Sequence, residues 1–265
     1  MLKDITLGQF FPGDSIVHKL DPRTKLILVI VYIIALFQGK GWISYALVVL
    51  VTVLCLALSR IRFRTIFKGL KPMLFIIVLT AALNIFYTAG TPVLPGWIIT
   101  WEGIARAVQM VLRITLLISG TFLLTYTTSP IALTDGMESL FNPLKKIKVP
   151  VHEMSMMMSM ALRFIPTLIE ETDKIMSAQK ARGADFENGN LIQRAKALLP
   201  ILVPLFVSAF RRADELAVAM ESRCYHGGEG RTRMKQLKMA GRDGVALVLG
   251  LLFLAGMILL RRLGL

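Results

Sequence analysis

The sequence predicts an all-α protein that crosses a membrane about five times and carries long, kinked helices outside the bilayer. Of its 265 residues, 55% are hydrophobic, and the mean hydropathy is +0.63. Such values, together with repeated apolar runs, are typical of integral membrane proteins. An interior stretch is too polar to cross a bilayer yet lies between runs that can. We therefore expect a membrane region of about four helices in residues 1–128, a central region in 129–243 and a C-terminal transmembrane helix in 244–265.

The charge distribution predicts how the chain is oriented. The net charge is +14, and the basic residues border the apolar runs or fill the central region. Cytoplasmic loops of membrane proteins carry such an excess of Lys and Arg. We therefore expect a multi-pass protein of the cell membrane, in contact with the lipid bilayer, whose N-terminus and central region are cytoplasmic. No basic tail is interleaved with aromatic residues, which argues against nucleic-acid binding.

The first membrane helix is predicted to begin at the motif Asp21-Pro22-Arg23. Asp is a favourable helix cap, and Pro fits the first turn, where no backbone N–H is needed. Arg23 then marks the cytoplasmic edge. Apolar residues 26–37 form the first crossing, residues 39–42 an external turn, and residues 43–58 the return.

A second pair of crossings follows a strongly basic segment, residues 59–71. Residues 73–87 cross outward, the loop 88–102 lacks Lys and Arg, and residues 103–128 form the longest apolar helix. Arg113 would lie well inside the bilayer if that helix is straight, with Asn84 at comparable depth. Because a lipid-facing arginine is costly, we expect Arg113 to make a structural contact with another helix. No chain of acidic or histidine residues accompanies it, so a proton relay is not expected.

The central region is predicted to hold two long helices. The first covers residues 151–182 with a kink at Pro166, and the second covers residues 191–223 and contains Pro200 and Pro204. Five methionines cluster near the start of the first helix: Met154, Met156, Met157, Met158 and Met160. Methionine suits an adaptable surface that accepts different partners, but these residues could equally fill space beneath the membrane helices. The sequence leaves both interpretations open.

A repeat within the central region carries the main functional signal. The phrase from Asp173 to Arg182 aligns with the phrase from Asp214 to Arg223, and each arginine ends a predicted helix. The arginines stand between small neighbours, which are Ala181 and Gly183 in the first motif and Ser222 and Cys224 in the second. A cation is favoured at a helix C-terminus for local reasons alone. Two guanidinium groups clear of bulky neighbours, however, predict a partner with two similar grooves, hence a dimer or pseudo-dimer.

These motifs resemble the transmembrane T component, of the EcfT and CbiQ-like family, of energy-coupling factor (ECF) importers. The resemblance rests on the paired arginine motifs, on residues 20–26 (LDPRTKL) and on the methionine-rich helix before Pro166, and it covers essentially the whole chain. It implies that Arg182 and Arg223 dock onto two ABC ATPase subunits forming a heterodimer. It also implies a small substrate-binding membrane protein, the S component, that is interchangeable and contacts the methionine-rich surface. The second motif departs from Ala-Arg-Gly, which leaves the groove for each arginine undetermined.

The expected function is therefore coupling of ATP-driven motion to uptake of a vitamin or other micronutrient, without catalysis and without a cofactor. The chain has no GxxxxGK[ST] phosphate loop, so ATP hydrolysis is assigned to the partners. One alternative is the T subunit of a dedicated cobalt or nickel importer. His18, His152 and His226 are scattered without ligand spacing, so no metal site is expected in this chain. A membrane-embedded lipid enzyme would need an acidic or nucleophilic cluster at the interface, which the pattern does not favour.

Overall fold

The computed structural model describes residues 10–92, 99–184, 186, 190–227 and 237–263. Within these ranges the chain is helical, as predicted, and has no strand. Its helices are α1 (Pro22–Gln38), α2 (Trp42–Ser59), α3 (Phe63–Leu70), α4 (Leu74–Tyr87), α5 (Trp101–Thr127), α6 (Pro130–Phe141), α7 (Val151–Ala181), α8 (Leu191–Glu221) and α9 (Gly241–Arg262).

The chain divides into two compact units. The membrane unit holds the described residues of Gly8–Met137 and Leu237–Leu265, and the hairpin unit holds those of Glu138–Gln236. Four helical segments, all in the membrane unit, are long and apolar enough to cross a bilayer: Trp42–Ser59, Phe63–Tyr87, Trp101–Thr127 and Gly241–Arg262. Helix α1 has 17 residues, one fewer than the shortest of these, and packs along α9 and α5. A polytopic all-α membrane protein is thereby confirmed.

Contacts at the two ends of α1 show in which direction α9 and α5 run relative to it. Its start meets the start of α9, where the Asp21 N–H donates to Asp243 Oδ1 at 2.8 Å, and its last residue, Gln38, accepts from Arg261 near the end of α9. The two helices are therefore parallel. Helix α5 runs the other way, because Lys25 near the start of α1 contacts Thr127 at the end of α5. We call the level of the start of α1 the Asp21 face and the level of its end the Gly39 face.

Close approach of these helices forms the core of the membrane unit. Its buried members are Ala35, Leu36, Tyr45, Val48, Leu116 and Met257. Gly120 lets α5 approach α1 closely, since a Cβ atom there would lie 2.5 Å from the Tyr32 ring. Small residues at such positions are how membrane helices pack without a hydrophobic driving force between them. Helix α4, by contrast, has no buried residue, which suits a helix that faces lipid.

Arg113 contacts α1, α2 and the turn between them, and its depth in the bilayer remains a prediction. Its Nη2 donates to the Gly39 carbonyl at 3.1 Å, and its guanidinium lies 5.7 Å from the centre of the Phe37 ring and 5.8 Å from that of Tyr45. Gly39 follows the last residue of α1, so Arg113 lies level with the end of α1. The Gly39 carbonyl lies beyond the last residue of α1, so no N–H of the helix donates to it and it can accept from the guanidinium.

Asn84 does not share the depth of Arg113, contrary to expectation. Its Nδ2 donates to the Thr80 carbonyl of its own helix at 2.8 Å. Its backbone lies opposite Gly103, where a Cβ atom would be 3.2 Å from the Asn84 carbonyl oxygen. Gly103 precedes Arg113 by ten residues of α5, which corresponds to about 15 Å along a helix. The two polar groups therefore belong to different levels of the unit.

The hairpin unit is dominated by α7 and α8, each of 31 residues. The assigned helices continue through Pro166, Pro200 and Pro204, where kinks remain a prediction. The Gln179 side chain contacts the Pro200 carbonyl at 3.5 Å, and Glu171 contacts Ser208 and Arg212. Later residues of α7 thus meet earlier residues of α8. The two helices form an antiparallel hairpin.

Candidate functional site

Both arginine motifs end their helices with the same backbone conformation. After α7, the Gly183 N–H donates to the Lys180 carbonyl and the Ala184 N–H to the Gln179 carbonyl, both at 3.0 Å. After α8, the Cys224 N–H donates to the Glu221 carbonyl at 2.9 Å and the Tyr225 N–H to the Met220 carbonyl at 3.1 Å. These paired bonds define the Schellman motif. Arg182 and Arg223 therefore occupy the same C-cap position.

The two helix ends also share a residue with positive φ directly after the arginine. Gly183 has φ +88° and Cys224 has φ +55°. Glycine adopts this left-handed conformation freely, whereas a residue with a Cβ atom is strained in it. Both arginines and their flanking residues Ala181, Gly183, Ser222 and Cys224 are exposed. Each turn thus leaves a guanidinium in solvent just beyond its helix.

Replacing Cys224 with glycine is expected to stabilise the end of α8 by about 1 kcal/mol, because it removes the left-handed strain of a residue with a Cβ atom. Hydrogen exchange at the Cys224 and Tyr225 amides would report this as slower opening. Gly183→Ala is the matched control: it adds the same strain after α7 and should accelerate exchange at Ala184. No atom lies within 4 Å of a Cβ added at Gly183, so strain alone is tested there. Faster exchange in Cys224→Gly would contradict the assignment.

An ion pair joins the two helices where they cross. Glu171 of α7 accepts hydrogen bonds from Ser208 and, at 3.2 Å, from Arg212 Nη2 of α8. The Ser208 hydroxyl first, and the Arg212 guanidinium second, hold the pKa of Glu171 below its ordinary value of 4.5. Glu171 is therefore ionised at neutral pH, and the pair is charged on both sides.

The hairpin has an approximate two-fold symmetry centred on this pair. Aligned on the two arginines, Glu171 corresponds to Arg212, because each lies 11 residues before the arginine of its own motif. Equivalent residues of two antiparallel helices meet only near the axis that relates them. From that crossing each arginine lies about 16 Å along its helix, in opposite directions, so the two are about 30 Å apart. The hairpin presents two equivalent ends to its surroundings.

The methionine cluster does not form a single surface. Met154, Met157 and Met158 are exposed, whereas Met156 and Met160 are partly buried. The latter two line a groove of about 630 Å³ between the start of α7 and the end of α8, which Met220, Tyr225 and Arg223 also line. The cluster thus divides between an outward face and the surroundings of the second arginine motif.

Helix α8 carries an exposed apolar stripe that the sequence interpretation did not assign to a partner. Its members are Leu198, Leu199, Leu202, Val203, Phe206, Val207 and Phe210. They recur every four residues and so share one face of the helix. The apolar run was visible in the sequence, but its exposure depends on which face α7 covers. Such a contiguous exposed face marks a surface for a protein partner or a membrane.

The described part of the chain contains no group of three or more His, Cys, Asp or Glu residues arranged to hold a metal ion. His152, one of the three histidines, contacts Glu138 instead, with Nδ1 3.0 Å from Oε1. His18 lies in the membrane unit, with Nδ1 2.6 Å from the Ser15 hydroxyl. Both therefore have structural partners.

Comparison with known proteins places the chain among transport proteins. Residues 13–234 match the sequence model of a family described as "CbiQ: Cobalt transport protein". The chain belongs to the CbiQ family. The region matched to CbiQ includes the Asp21 motif and both arginine motifs, and it ends before α9.

Individual relatives of this CbiQ-family chain carry a more specific name. It is 56% identical to the "Energy-coupling factor transporter transmembrane protein EcfT" of Clostridium kluyveri over 98% of each chain. The protein of the same name from Ruminiclostridium cellulolyticum is 54% identical over 98% of each chain. That of Bacillus subtilis is 48% identical over 99% of this chain and 100% of its own. The similarity extends over the full length.

Proposed function

We propose that this CbiQ-family chain is the T component of an ECF importer, which transmits ATP-driven motion of two ATPase subunits to a substrate-binding S component. The observation that carries the proposal is the geometry of the hairpin. Two identical helix ends, each presenting an arginine at the C-cap, lie at opposite ends of one pseudo-symmetric body. A pair of related subunits, each with one groove, is the simplest partner for such a surface.

The chemistry of the two arginines supports docking at these positions. A guanidinium carries five donors in a rigid fork, so it can pair bidentately with a carboxylate or bridge backbone carbonyls at the bottom of a groove. The Schellman turn holds the arginine beyond the last helical turn, and the small neighbours leave room for groove walls. We therefore assign ATPase docking to Arg182 and Arg223, with Ala181, Gly183, Ser222 and Cys224 shaping the access.

The contact with the S component is proposed on the apolar surfaces of the hairpin unit. Met154, Met157 and Met158 are exposed, and the α8 stripe adds branched and aromatic side chains. Unbranched, polarizable methionine side chains adapt to different partner shapes. Such a surface suits an S component that can be exchanged for another.

The orientation of the membrane unit is proposed from its charges. The basic segment 59–71 lies at the Asp21 face, because Ile66 packs against Tyr126 next to the end of α5. The positive-inside rule assigns that face to the cytoplasm. Since α1 and α9 are parallel, the end of α9 then lies outside, and Arg261 there is accounted for by its contact with Gln38.

The nature of the cargo separates the two transport hypotheses. The family description names cobalt, whereas the full-length relatives are named only as ECF transporter proteins. We propose the vitamin-type module with a separate S component, since the similarity to the proteins named as ECF transporter proteins extends over the full length of the chain. The substrate would then be bound by the partner and not by this chain.

Affinity purification of the tagged chain in mild detergent tests this function. We expect two ATPases and one or more small apolar membrane proteins to co-purify, and the identity of the latter would indicate the cargo. The complex should hydrolyse ATP, whereas the purified chain alone should not. Recovery of the chain without any ATPase, from cells that express the complete set of transporter genes, would contradict the proposal.

A further inference from the structure

The Asp21 motif has buried charges that docking and membrane insertion do not require. Asp21 and Lys25 are each 6% exposed, and Asp243, which meets them at the start of α9, is 2% exposed. Two carboxylates, the Lys25 ammonium and the partly buried Arg23 guanidinium make this cluster neutral overall. Burying charge is expensive unless each group is paired and hydrogen-bonded. Asp21 caps α1 and Asp243 caps α9, so Lys25, Arg23 and the contact between the two caps require a separate explanation.

One set of contacts from this cluster fixes the segment of chain that returns from the hairpin unit. The Asp21 N–H donates to Asp243 Oδ1 at 2.8 Å, and Asp243 Oδ2 accepts from the Ala240 N–H, also at 2.8 Å. Arg23 Nη2 lies 3.4 Å from the Leu237 carbonyl oxygen. Leu237 is the first residue of the membrane unit after the hairpin unit. The returning chain is thus attached to α1 from the point where it enters the membrane unit.

A second set fixes the segment that leaves for the hairpin unit. Lys25 Nζ donates to the Thr127 carbonyl at 2.9 Å and to Thr128 Oγ1 at 3.3 Å, at the junction between α5 and α6. Further along, Gly136 of α6 lies against Pro22, since a Cβ atom at Gly136 would be 3.0 Å from the Pro22 Cβ. The departing chain is therefore held to the same turn of α1.

The two attachments are electrostatically linked. The Lys25 ammonium is buried, and the carboxylates of Asp243 and Asp21 partly offset the cost of that burial. Its side chain also donates to the His18 carbonyl at 3.2 Å, which ties in the segment before α1. Removing Lys25 leaves two neighbouring buried carboxylates with Arg23 as their remaining cation in this cluster. Loss of Lys25 should therefore loosen the returning chain at Asp243 as well as the departing chain at Thr127 and Thr128.

We infer that residues 21–25 form an anchor that fixes both chain connections of the hairpin unit to the membrane unit. This inference rests on the proposed function for its consequence. Force applied at Arg182 and Arg223 can move a membrane-bound partner only if the hairpin reacts against a fixed support. The connection before Glu138 and the connection after Gln236 are both attached to one turn of α1, which provides that support. Asp21, Arg23, Lys25 and Asp243 are positioning residues for coupling.

Hydrogen exchange on the isolated full-length chain tests the anchor without any ATPase. We compare Lys25→Met, which keeps the length of the side chain but removes its charge and donors, with the wild type. Exchange should accelerate at amides of residues 129–137 and of residues 237–243 together. Tyr32→Phe is the control, since it removes an equally internal contact, the bond from the Tyr32 hydroxyl to the Leu116 carbonyl, away from both connections. Acceleration at neither connection, or at one only, would overturn the anchor.

The consequence for transport is measured in the reconstituted full complex as substrate imported per ATP hydrolysed. The Lys25→Met variant should lower this ratio by about tenfold, as expected for a residue that carries coupling between sites, while the ATPases still co-purify. Arg23→Gln should lower it less, and Tyr32→Phe should leave it unchanged. An unchanged ratio in both anchor variants would overturn the inference.

A second anchor variant and the separate exchange measurement cover the two ways in which the first variant could fail to inform. If Lys25→Met does not fold, Arg23→Gln replaces it in both measurements, because the Arg23 side chain is partly exposed and its loss leaves Lys25 and its hydrogen bonds in place. If the wild-type chain fails to bind ATPases, the proposed function fails, whereas the exchange experiment still decides whether the anchor exists.

Discussion

The double variant Arg182→Glu, Arg223→Glu is expected to abolish association with the ATPases and, with it, substrate uptake. Both side chains are exposed at equivalent C-caps, so the change should leave the hairpin folded. Truncating an interface hot-spot arginine costs roughly 2–4 kcal/mol, and charge reversal in a groove that accepts a cation adds repulsion. Two such losses weaken binding by at least about a thousandfold. Co-purification and uptake in whole cells would measure the result.

A matched control separates docking from net charge. Lys196 and Arg211 are also exposed basic residues of α8, but they lie outside the arginine motifs. The variant Lys196→Glu, Arg211→Glu makes the same change of charge and should retain ATPase binding and most uptake. Each single motif variant should retain one attachment and show an intermediate loss. Normal assembly and uptake in the double motif variant would show that docking occurs elsewhere.

Charge reversal at the crossing of the hairpin is the second large expected effect. Glu171→Arg places a cation opposite Arg212 and removes the acceptor of Ser208, so the hairpin should lose stability and the complex most of its uptake. ATPase binding at each separate arginine should persist, because neither C-cap is altered. The reciprocal variant, Glu171→Arg with Arg212→Glu, restores the pair with opposite polarity and should regain most of the lost uptake. Equal loss in the single and reciprocal variants would mean that the pair does not act as a unit.

The pH dependence of the same pair gives an independent measurement. The pKa of Glu171 is lower in the folded hairpin than its ordinary value of 4.5. A lowered carboxylate pKa contributes stability that is fully present above the unfolded value and is lost as pH falls through the folded value. The protection factors of amides around Glu171, which are corrected for the intrinsic slowing of exchange in acid, should therefore be insensitive to this group at neutral pH and decrease on acidification below 4.5. Glu171→Gln should remove that dependence.

Local features of the sequence were sufficient to predict the long helices and the two arginine motifs, but not the short helix α3 in the basic segment 59–71. Apolar periodicity, the Asp21 cap and the breaks after Arg182 and Arg223 act within a few residues of one another. The repeat between the motifs was therefore readable without coordinates. The backbone conformation that the two motifs share could not be predicted, because nothing in the sequence indicates that Cys224 adopts a positive φ as Gly183 does.

Pairings between distant residues were decided by the tertiary structure alone. Arg113 lies at the end of α1 because α5 extends beyond the short α1, which no pattern within α5 indicates. Asp21 and Asp243 are 222 residues apart in the chain, and their contact depends on the parallel packing of α1 and α9. The exposure of the α8 stripe likewise depends on the face that α7 covers. The sequence by itself determined which long segments are helices and where they end, because those forces are local. The structure determined which helix ends meet, because that depends on packing among segments far apart in the chain.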